Sequence, residues 1–169
     1  MVEFIHDPVR RQRLAFSREG DRLHADVFAD PGGDVPSHYH PRQEERFEVL
    51  AGHVRFDVGG KRTEGGPGTR VVAPAGVKHA FRNIGQAEAR LKVEVEPALG
   101  LQGFLEEAAA LAREGLYTRR GMPRRPRAVL ELADLMVRYS DITVMSFPPR
   151  PIQRLLLAPL ARFKRDRHR

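Results

Sequence analysis

The first 97 residues alternate between short apolar runs and turn signals. Glycine, proline and asparagine cluster where tight turns are favoured, at 31–34, 52, 59–60, 65–68, 74–76 and 83–85. Between these turns, Val54, Phe56 and Val58 share one face of an extended segment, and Leu91, Val93 and Val95 share one face of another. Many short strands joined by close turns predict a β-sandwich or barrel.

The spacing of apolar residues changes after Pro97. Apolar residues then recur at helical spacing, at Phe104, Leu105, Ala108, Leu111 and Ala112, and again from about Ala128 to Tyr139. A third helix begins after Pro151 and should kink or split at Pro159. The run from Ile142 to Phe147 could form a short strand at the barrel edge. The chain is therefore predicted to consist of a barrel over 1–97 and a helical extension over 98–169, packed on or near the barrel.

Composition narrows the chemistry. The chain has no cysteine, so disulfides, thiolate catalysis and cysteine-ligated metals are excluded, and imidazole and carboxylate are the strong ligands left. The N-terminal segment is charged where a secretory signal needs an apolar core, and no stretch of about 20 apolar residues could span a membrane. We expect a soluble, cytoplasmic protein.

The positive charge is unevenly distributed. The net charge is +7; residues 1–97 contain 15 Lys+Arg and 15 Asp+Glu, whereas residues 98–169 contain 14 and 7. The whole surplus therefore lies in the extension. This distribution argues against a basic barrel wrapped in nucleic acid, so no nucleic-acid partner is expected.

Three histidines and one glutamate form a candidate metal site. His38 and His40 are two residues apart, so on a strand both imidazoles point to one face. Glu45 alternates with Phe47 and Val49, while the neighbouring charged residues take the opposite face, so Glu45 should point inward. The same alternation sends His79 inward with Phe81. Such a donor set suits Fe(II), Mn(II), Ni(II) or Zn(II).

These residues also carry a family resemblance. The segment from Gly32 to Gly52 fits the first cupin motif, Gly-x5-His-x-His-x4-Glu-x6-Gly, and the segment from Gly68 to Asn83 fits the second, Gly-x5-Pro-x-Gly-x2-His-x3-Asn. Residues 20–97 thus resemble a single-domain cupin. The resemblance implies a mainly β fold, a double-stranded β-helix or jelly-roll barrel, with one divalent transition metal on His38, His40, Glu45 and His79.

Some alternatives stay open at this point. The family tolerates a shorter spacer that would make Glu44 the carboxylate ligand, and a cupin can keep these residues yet bind metal weakly. Asn83 is expected to cap a turn through its amide. Of the other histidines, His53, His6 and His168 are expected at the surface, whereas His24 could line the cavity or lie outside.

The basic extension permits two interpretations. Its tail, Pro151–Arg169, combines leucines with arginines and could be an interfacial helix attracted to anionic lipid. We favour the alternative, in which the leucines dock on the barrel or on a second subunit, because Pro159 shortens the apolar face. A basic loop containing Arg119, Arg120, Arg124, Arg125 and Arg127 is expected to be solvated. A helix-turn-helix is disfavoured by the long link between the two better-defined helices. Separately, the family resemblance makes a homodimer plausible.

Three functions fit this sequence. The leading hypothesis is a metalloenzyme of the dioxygenase type that binds a small-molecule substrate, with Glu45 also able to accept a proton. The second is a non-redox isomerase, decarboxylase or cyclase that uses the metal as a Lewis acid. The third is a non-catalytic ligand-binding module or sensor.

Overall fold

A computed structural model describes residues 3–118 and 121–166 of the chain. The first ten strands precede the helices: β1 (Ile5–Asp7), β2 (Gln12–Glu19), β3 (Arg22–Ala29), β4 (Asp34–Tyr39), β5 (Glu44–Ala51), β6 (Val54–Val58), β7 (Lys61–Gly65), β8 (Arg70–Ala73), β9 (His79–Asn83) and β10 (Ala89–Glu96). The helical part contains α1 (Leu101–Arg113), α2 (Pro126–Arg138), β11 (Val144–Met145) and α3 (Arg150–Asp166). The predicted mainly β fold with C-terminal helices is confirmed.

The strands form two antiparallel sheets that face each other. One has the order β1-β2-β3-β10-β5-β8, and the other has the order β11-β4-β9-β6-β7. Alternate residues along β3 and β10 are buried, which explains why their sequences alternate between apolar and charged side chains. The apolar faces of the two sheets form the core of a jelly-roll barrel.

Aromatic side chains fill the centre of this core. Phe47 on one sheet packs against Phe56 and Phe81 on the other, with ring centroids 5.4 Å and 6.2 Å away. The rings are tilted relative to one another, an arrangement favoured by the aromatic quadrupole. This cluster lies directly beneath the candidate metal site, since the ring of Phe47 is also 6.2 Å from the imidazole of His79.

Two of the predicted turn residues, Gly52 and Asn83, shape their turns in different ways. Gly52 has a φ of +83°, and a Cβ added there would lie 2.6 Å from the Cα of Ala89, so no other residue fits without displacing the backbone. Asn83 is buried and donates hydrogen bonds from its amide to the carbonyls of Ala29 and Ala87, while Gly85 N–H donates to its Oδ1. Asn83 therefore acts as the turn cap that the sequence suggested.

The helical extension is attached to both sheets. α1 packs on β1 at the edge of the six-stranded sheet. β11 pairs with β4 and extends the five-stranded sheet, with Val144 opposite Tyr39 and Met145 opposite His38. The short edge strand expected within Ile142–Phe147 is thus confirmed.

The third helix differs from expectation. We predicted a kink or a break at Pro159; α3 is not broken there and forms a single helix from Arg150 to Asp166. Proline removes one backbone donor, and the carbonyl of Leu155 that would accept from it belongs to an exposed residue, where water can replace the lost bond. The sequence could not anticipate this, because the penalty for an internal proline depends on whether the freed carbonyl is solvated.

The leucines of the tail are only partly covered within the chain. Leu157 and Leu160 are half-buried, whereas Leu155 and Leu156 are 75% and 56% exposed. The rest of the chain, chiefly α2, therefore covers only part of this apolar set, and docking on a second subunit stays a prediction. Within residues 3–118 and 121–166, no helix is both long and apolar enough to cross a bilayer.

Candidate metal centre

The barrel brings the four predicted residues together from three strands. His38 lies near the end of β4, opposite His79 of β9, and His40 follows directly after β4. Glu45 comes from β5 in the facing sheet. One ligand atom from each of the four residues lies within 4.8 Å of the others, so together they could hold one metal ion.

Each imidazole is oriented by a backbone carbonyl. The Nδ1 atoms of His38, His40 and His79 lie 2.9, 2.7 and 2.9 Å from the carbonyl oxygens of Pro36, Ile142 and Val77, respectively. A carbonyl can only accept, so all three Nδ1 atoms carry the proton. Each neutral ring consequently presents the lone pair of Nε2 to the cluster, the tautomer that a metal requires.

The Nε2 atoms face other acceptors rather than donors. His38 Nε2 lies 3.2 Å from His40 Nε2, and His79 Nε2 lies 2.8 Å from Glu45 Oε2. Glu45 Oε2 is also 3.5 Å from His40 Nε2. With Nδ1–H on every ring, these contacts join lone pairs to lone pairs or to an anion, so a cation is needed between them, either a proton or a metal ion. The donor set therefore fits a divalent metal.

Burial and the neighbouring charges set the protonation of the cluster. Burial, together with the adjacent imidazoles of His79 and His40, lowers the pKa of His38 to about 3. For His40, burial opposes the charged form, but the Glu45 carboxylate outweighs it and raises the pKa. Burial likewise opposes ionisation of Glu45, yet His40 and His79 hold the pKa of its carboxyl well below the usual range. The cluster thus favours an ionised carboxylate beside a cation.

The two adjacent glutamates take opposite roles. Glu45 is only 8% exposed and lies among the imidazoles. Glu44 points to the outer face, where its carboxylate pairs with Arg46 at 2.6 Å and both side chains are solvated. Period-2 alternation had separated the two, and the geometry places Glu44 outside the cluster.

A cavity of about 500 Å³ extends from this cluster between the two sheets. His38, His40 and Glu45 line one part of it. The barrel contributes apolar side chains such as Phe47 and Val93, and the helices contribute others from α1, α2 and α3, including Phe104, Leu105, Ala108, Leu132, Met136, Leu156 and Leu157. The helical extension is therefore a wall of the cavity, which the sequence did not predict.

A few polar groups interrupt this apolar lining. Asp7 is the last residue of β1, and Arg10 lies in the turn that follows. Both line the cavity, as do Gln12, Thr143 and Gln153. The carboxylate of Asp7 accepts the backbone N–H groups of Val9 and Arg10 at 2.9 Å. Burial nevertheless raises the pKa of Asp7. No motif marked these residues, because they come from elements outside the family signature.

The extension also supports the candidate ligands directly. The carbonyl that orients His40 belongs to Ile142, between α2 and β11. Ser146 N–H donates to the Ser37 carbonyl at 3.0 Å, next to His38. Gln153 of α3 donates to the carbonyls of Met145 and Pro148 at 2.7 and 2.6 Å, which fastens β11 in place. The residues from 142 onward therefore stabilise β4, which carries His38, and the adjoining His40.

The remaining histidines lie away from the cluster. His6 and His53 are exposed, as expected. His24 lies on the outer face of β3, where its ring is 3.6 Å from Glu94 and 3.8 Å from Glu19. This settles the ambiguity about His24 in favour of the outside. His168, Arg119 and Arg120 lie outside the described residues.

Comparisons with known proteins agree with this architecture. A family model described as the cupin domain matches residues 26–96, a segment that contains all four clustered residues. Over 67 residues the chain is 33% identical to "Polyketide synthase CurC" of Streptomyces cyaneus and 37% identical to "Protein SchB" of Streptomyces halstedii. These segments cover 40% of this chain and 44% and 49% of those proteins, so the chain spans less than half the length of the curated relatives it matches.

Solved structures show a similar barrel. An RmlC-like cupin from Shewanella frigidimarina superposes with a TM-score of 0.53 at 18% identity, over 59% of this chain and 86% of that chain. The protein TT1209 from Thermus thermophilus gives a TM-score of 0.50 at 25% identity, over 54% of this chain and 89% of that chain. At these levels of identity the similarity concerns the fold.

Proposed function

Because this chain belongs to the cupin superfamily, we propose that it is a metalloenzyme that transforms a largely apolar small molecule inside the barrel, with dioxygenase-type chemistry as the leading candidate. One observation carries the proposal. Three imidazoles with anchored Nδ1–H groups and one ionised carboxylate converge at the wall of an apolar cavity. A cavity with polar groups concentrated at one point is typical of a small-molecule site.

His38, His40, Glu45 and His79 are the residues that would hold the metal. Once bound, a divalent ion would supply Lewis acidity and, if it is iron, the ability to react with O₂. The carbonyls of Pro36, Ile142 and Val77 keep the three rings in the tautomer that exposes Nε2. Burial of His40, Glu45 and His79 lowers the local dielectric constant, which strengthens electrostatic interactions at the site.

The cavity indicates the class of substrate. Its walls are mainly aliphatic and aromatic, and its volume suits a molecule of roughly drug size. A substrate with an apolar skeleton and one or two oxygen functions would fill the walls and direct its oxygens to the cluster. The similarity to a protein named polyketide synthase supports this choice, since polyketides are carbon skeletons that carry carbonyl or phenolic oxygens.

Glu45 is the candidate for proton transfer. Its Oε2 lies 2.8 Å from His79 Nε2, and it is the carboxylate within the cluster. A substrate enol or phenol oriented toward the cluster could give its proton to a carboxylate oxygen of Glu45. His40 and His79 stabilise the ionised form and therefore make Glu45 a weak base by itself, with a lowered pKa. This favours substrates whose acidity the metal increases.

The proposal is tested in two stages. Elemental analysis of the purified protein should find about one transition metal per chain, and the metal should be absent from a His38→Ala/His79→Ala double variant. The iron-loaded protein is then mixed with a panel of phenols and β-dicarbonyl compounds, and oxygen uptake and product formation are followed. Oxygen consumption coupled to product formation supports the dioxygenase proposal.

The non-redox alternative predicts different results in the same assays. Metal-dependent turnover of the same panel under argon would identify an isomerase, decarboxylase or cyclase and refute the dioxygenase assignment. Tight binding of panel compounds without product in either atmosphere would instead identify a binding or sensor protein. A wild-type protein that neither contains nor takes up metal would contradict all metal-dependent versions of the proposal.

A further inference from the structure

The last helix has three chemically different faces. Gln153, Leu157, Ala161 and Lys164 face the rest of the protein, and α3 packs mainly on α2. Lys164 is fixed there by Glu131 and Asp134, at 2.6 and 3.2 Å. This face accounts for the attachment of the helix. The other two faces are turned away from the protein.

One of the outward faces is apolar. Ile152, Leu155, Leu156, Pro159 and Phe163 follow one another at intervals of one, three or four residues, so they form one stripe along α3. Leu155 and Leu156 are 75% and 56% exposed, and Ile152 and Phe163 are about half exposed. We call these five residues the apolar stripe. Exposure of so many large apolar side chains in one patch is typical of an interaction surface.

The apolar stripe borders the entrance of the cavity. Leu156 belongs to the stripe and also lines the cavity. Phe147, which is 84% exposed, lines the cavity as well. The apolar interior of the protein and its apolar outer surface are therefore continuous at this point. Whatever covers the stripe also faces the entrance.

The remaining face of α3 is basic. Every charged residue from Arg150 to Arg165 is an arginine or lysine, and Arg154 and Arg165 are exposed beside the stripe. The extension as a whole contains 14 Lys+Arg and 7 Asp+Glu. An apolar stripe next to a basic face, on a helix of low overall hydrophobicity, matches an anionic lipid surface in both apolarity and charge.

A second copy of the chain fits this surface less well. Two antiparallel α3 helices packed through the stripe would place their basic faces side by side, which is repulsive. The sequence had favoured docking of the leucines over lipid because Pro159 should shorten the apolar face. Since α3 continues through Pro159, the stripe extends as far as Phe163 and that objection does not hold.

We propose that α3 binds the surface of anionic lipid membranes, with the apolar stripe entering the headgroup region and the cavity entrance facing the bilayer. The arginines bind phosphate groups, while Leu155 and Ile152 enter the boundary between headgroups and acyl chains. Entry of a lipophilic substrate from the bilayer would follow, and that consequence rests on the function proposed above. Membrane binding itself requires neither the metal nor a substrate.

The experiment is co-sedimentation of the full chain with vesicles. Phosphatidylcholine vesicles are compared with vesicles that also contain phosphatidylglycerol, at low and at physiological salt. The protein should sediment with the anionic vesicles and much less with the neutral ones, and added salt should weaken binding. Replacing Arg154 with Glu changes two units of charge and should reduce partitioning about 25-fold, at roughly fivefold per unit.

Matched variants separate surface binding from general effects. The double variant Ile152→Ser/Leu155→Ser should reduce partitioning by about tenfold or more, since both side chains lose apolar contact. Val72→Ser and Lys61→Glu remove an exposed apolar and an exposed basic residue from the barrel, and should have no effect. Thermal unfolding checks that each variant is folded. The His79→Ala variant should still bind vesicles. Failure of the metal proposal can therefore be distinguished from failure of the membrane proposal.

Three results would overturn the proposal. The first is no sedimentation with anionic vesicles, and the second is binding that is equal for neutral and anionic vesicles. The third is a dimer, detected by analytical ultracentrifugation, that the Ile152→Ser/Leu155→Ser variant dissociates while neither protein binds vesicles. That outcome would assign the stripe to contact with a second copy of the chain.

Discussion

Replacing each of two adjacent glutamates with glutamine gives a direct test of the candidate centre. Glu45 and Glu44 are neighbours in sequence, but Glu45 lies buried among the imidazoles and Glu44 pairs with Arg46 outside. Glu45→Gln keeps the size of the side chain and removes the anionic ligand. Glu44→Gln makes the same chemical change on the opposite face of the same strand, so it is a matched control.

The expected difference in Tm between the two variants follows from the stabilisation that a bound metal gives to the folded state. A metal present at 100 times its dissociation constant stabilises the folded state by about 2.7 kcal/mol. For a chain of this size, each kcal/mol raises Tm by roughly 2–4 °C, so the metal should raise Tm by roughly 5–11 °C. Glu45→Gln should lose most of this increment. Glu44→Gln loses one exposed ion pair, worth at most about 1 kcal/mol, and should keep the increment.

The assay is thermal unfolding of chelator-treated protein with and without added Zn(II), Mn(II) or Fe(II), combined with measurement of bound metal. The predicted pattern is a metal-dependent rise in Tm for wild type and Glu44→Gln, and little or none for Glu45→Gln. A Glu45→Gln variant with the full rise and full metal content would show that Glu45 is not a ligand. Loss of the rise in Glu44→Gln alone would mean that the other carboxylate binds the metal.

Further predictions concern the extension and the cavity. Gln153→Leu removes the two hydrogen bonds that fasten β11, so it should lower the free energy of unfolding by about 2–4 kcal/mol. It should also weaken metal binding about tenfold, as measured by chelator competition. Unchanged metal affinity would show that β11 does not position the ligands. Glu107 accepts hydrogen bonds from Arg138 and Tyr139 that lower its pKa, so it contributes stability above pH 4.5 that is lost as the pH falls. Glu107→Gln should reduce the loss of unfolding free energy on acidification by less than about 1 kcal/mol, as measured by urea unfolding at several pH values. An unchanged pH profile would show that Glu107 does not contribute to this pH dependence. Ala108→Phe places a ring in the cavity and should weaken binding of an apolar fluorescent dye at least tenfold while leaving metal content intact; equal dye binding would mean that the dye binds elsewhere.

The barrel and the cluster were predictable because their signals are local. Alternation of apolar and polar residues fixes which face of a strand is buried, and that alone distinguishes Glu45 from Glu44. The turn at Gly52 and the cap at Asn83 likewise depend on residue types with special backbone or hydrogen-bonding properties. Such features can be recognised within a few residues of sequence.

The role of the extension was not predictable for a physical reason. Ile142 contributes a backbone carbonyl to His40, and every residue has such a carbonyl, so no residue type marks it. The helical wall of the cavity depends on how α1, α2 and α3 pack, which periodicity does not determine. The exposure of the α3 leucines in the single chain was not predictable either, because an apolar stripe looks the same in sequence whether or not it is buried.

The hydrogen bond between His40 and Ile142 joins residues that are 102 positions apart. During synthesis, all four candidate ligands leave the ribosome well before Ile142 does. A nascent chain that has completed the barrel therefore lacks the acceptor for His40 and the strand that supports His38. The centre can reach its final geometry only after Ile142 has emerged, because domains acquire long-range contacts after the segment that supplies them has been synthesised. Metal binding would therefore depend on residues 142 onward, and a product truncated before Ile142 would carry the candidate ligands without a well-formed site.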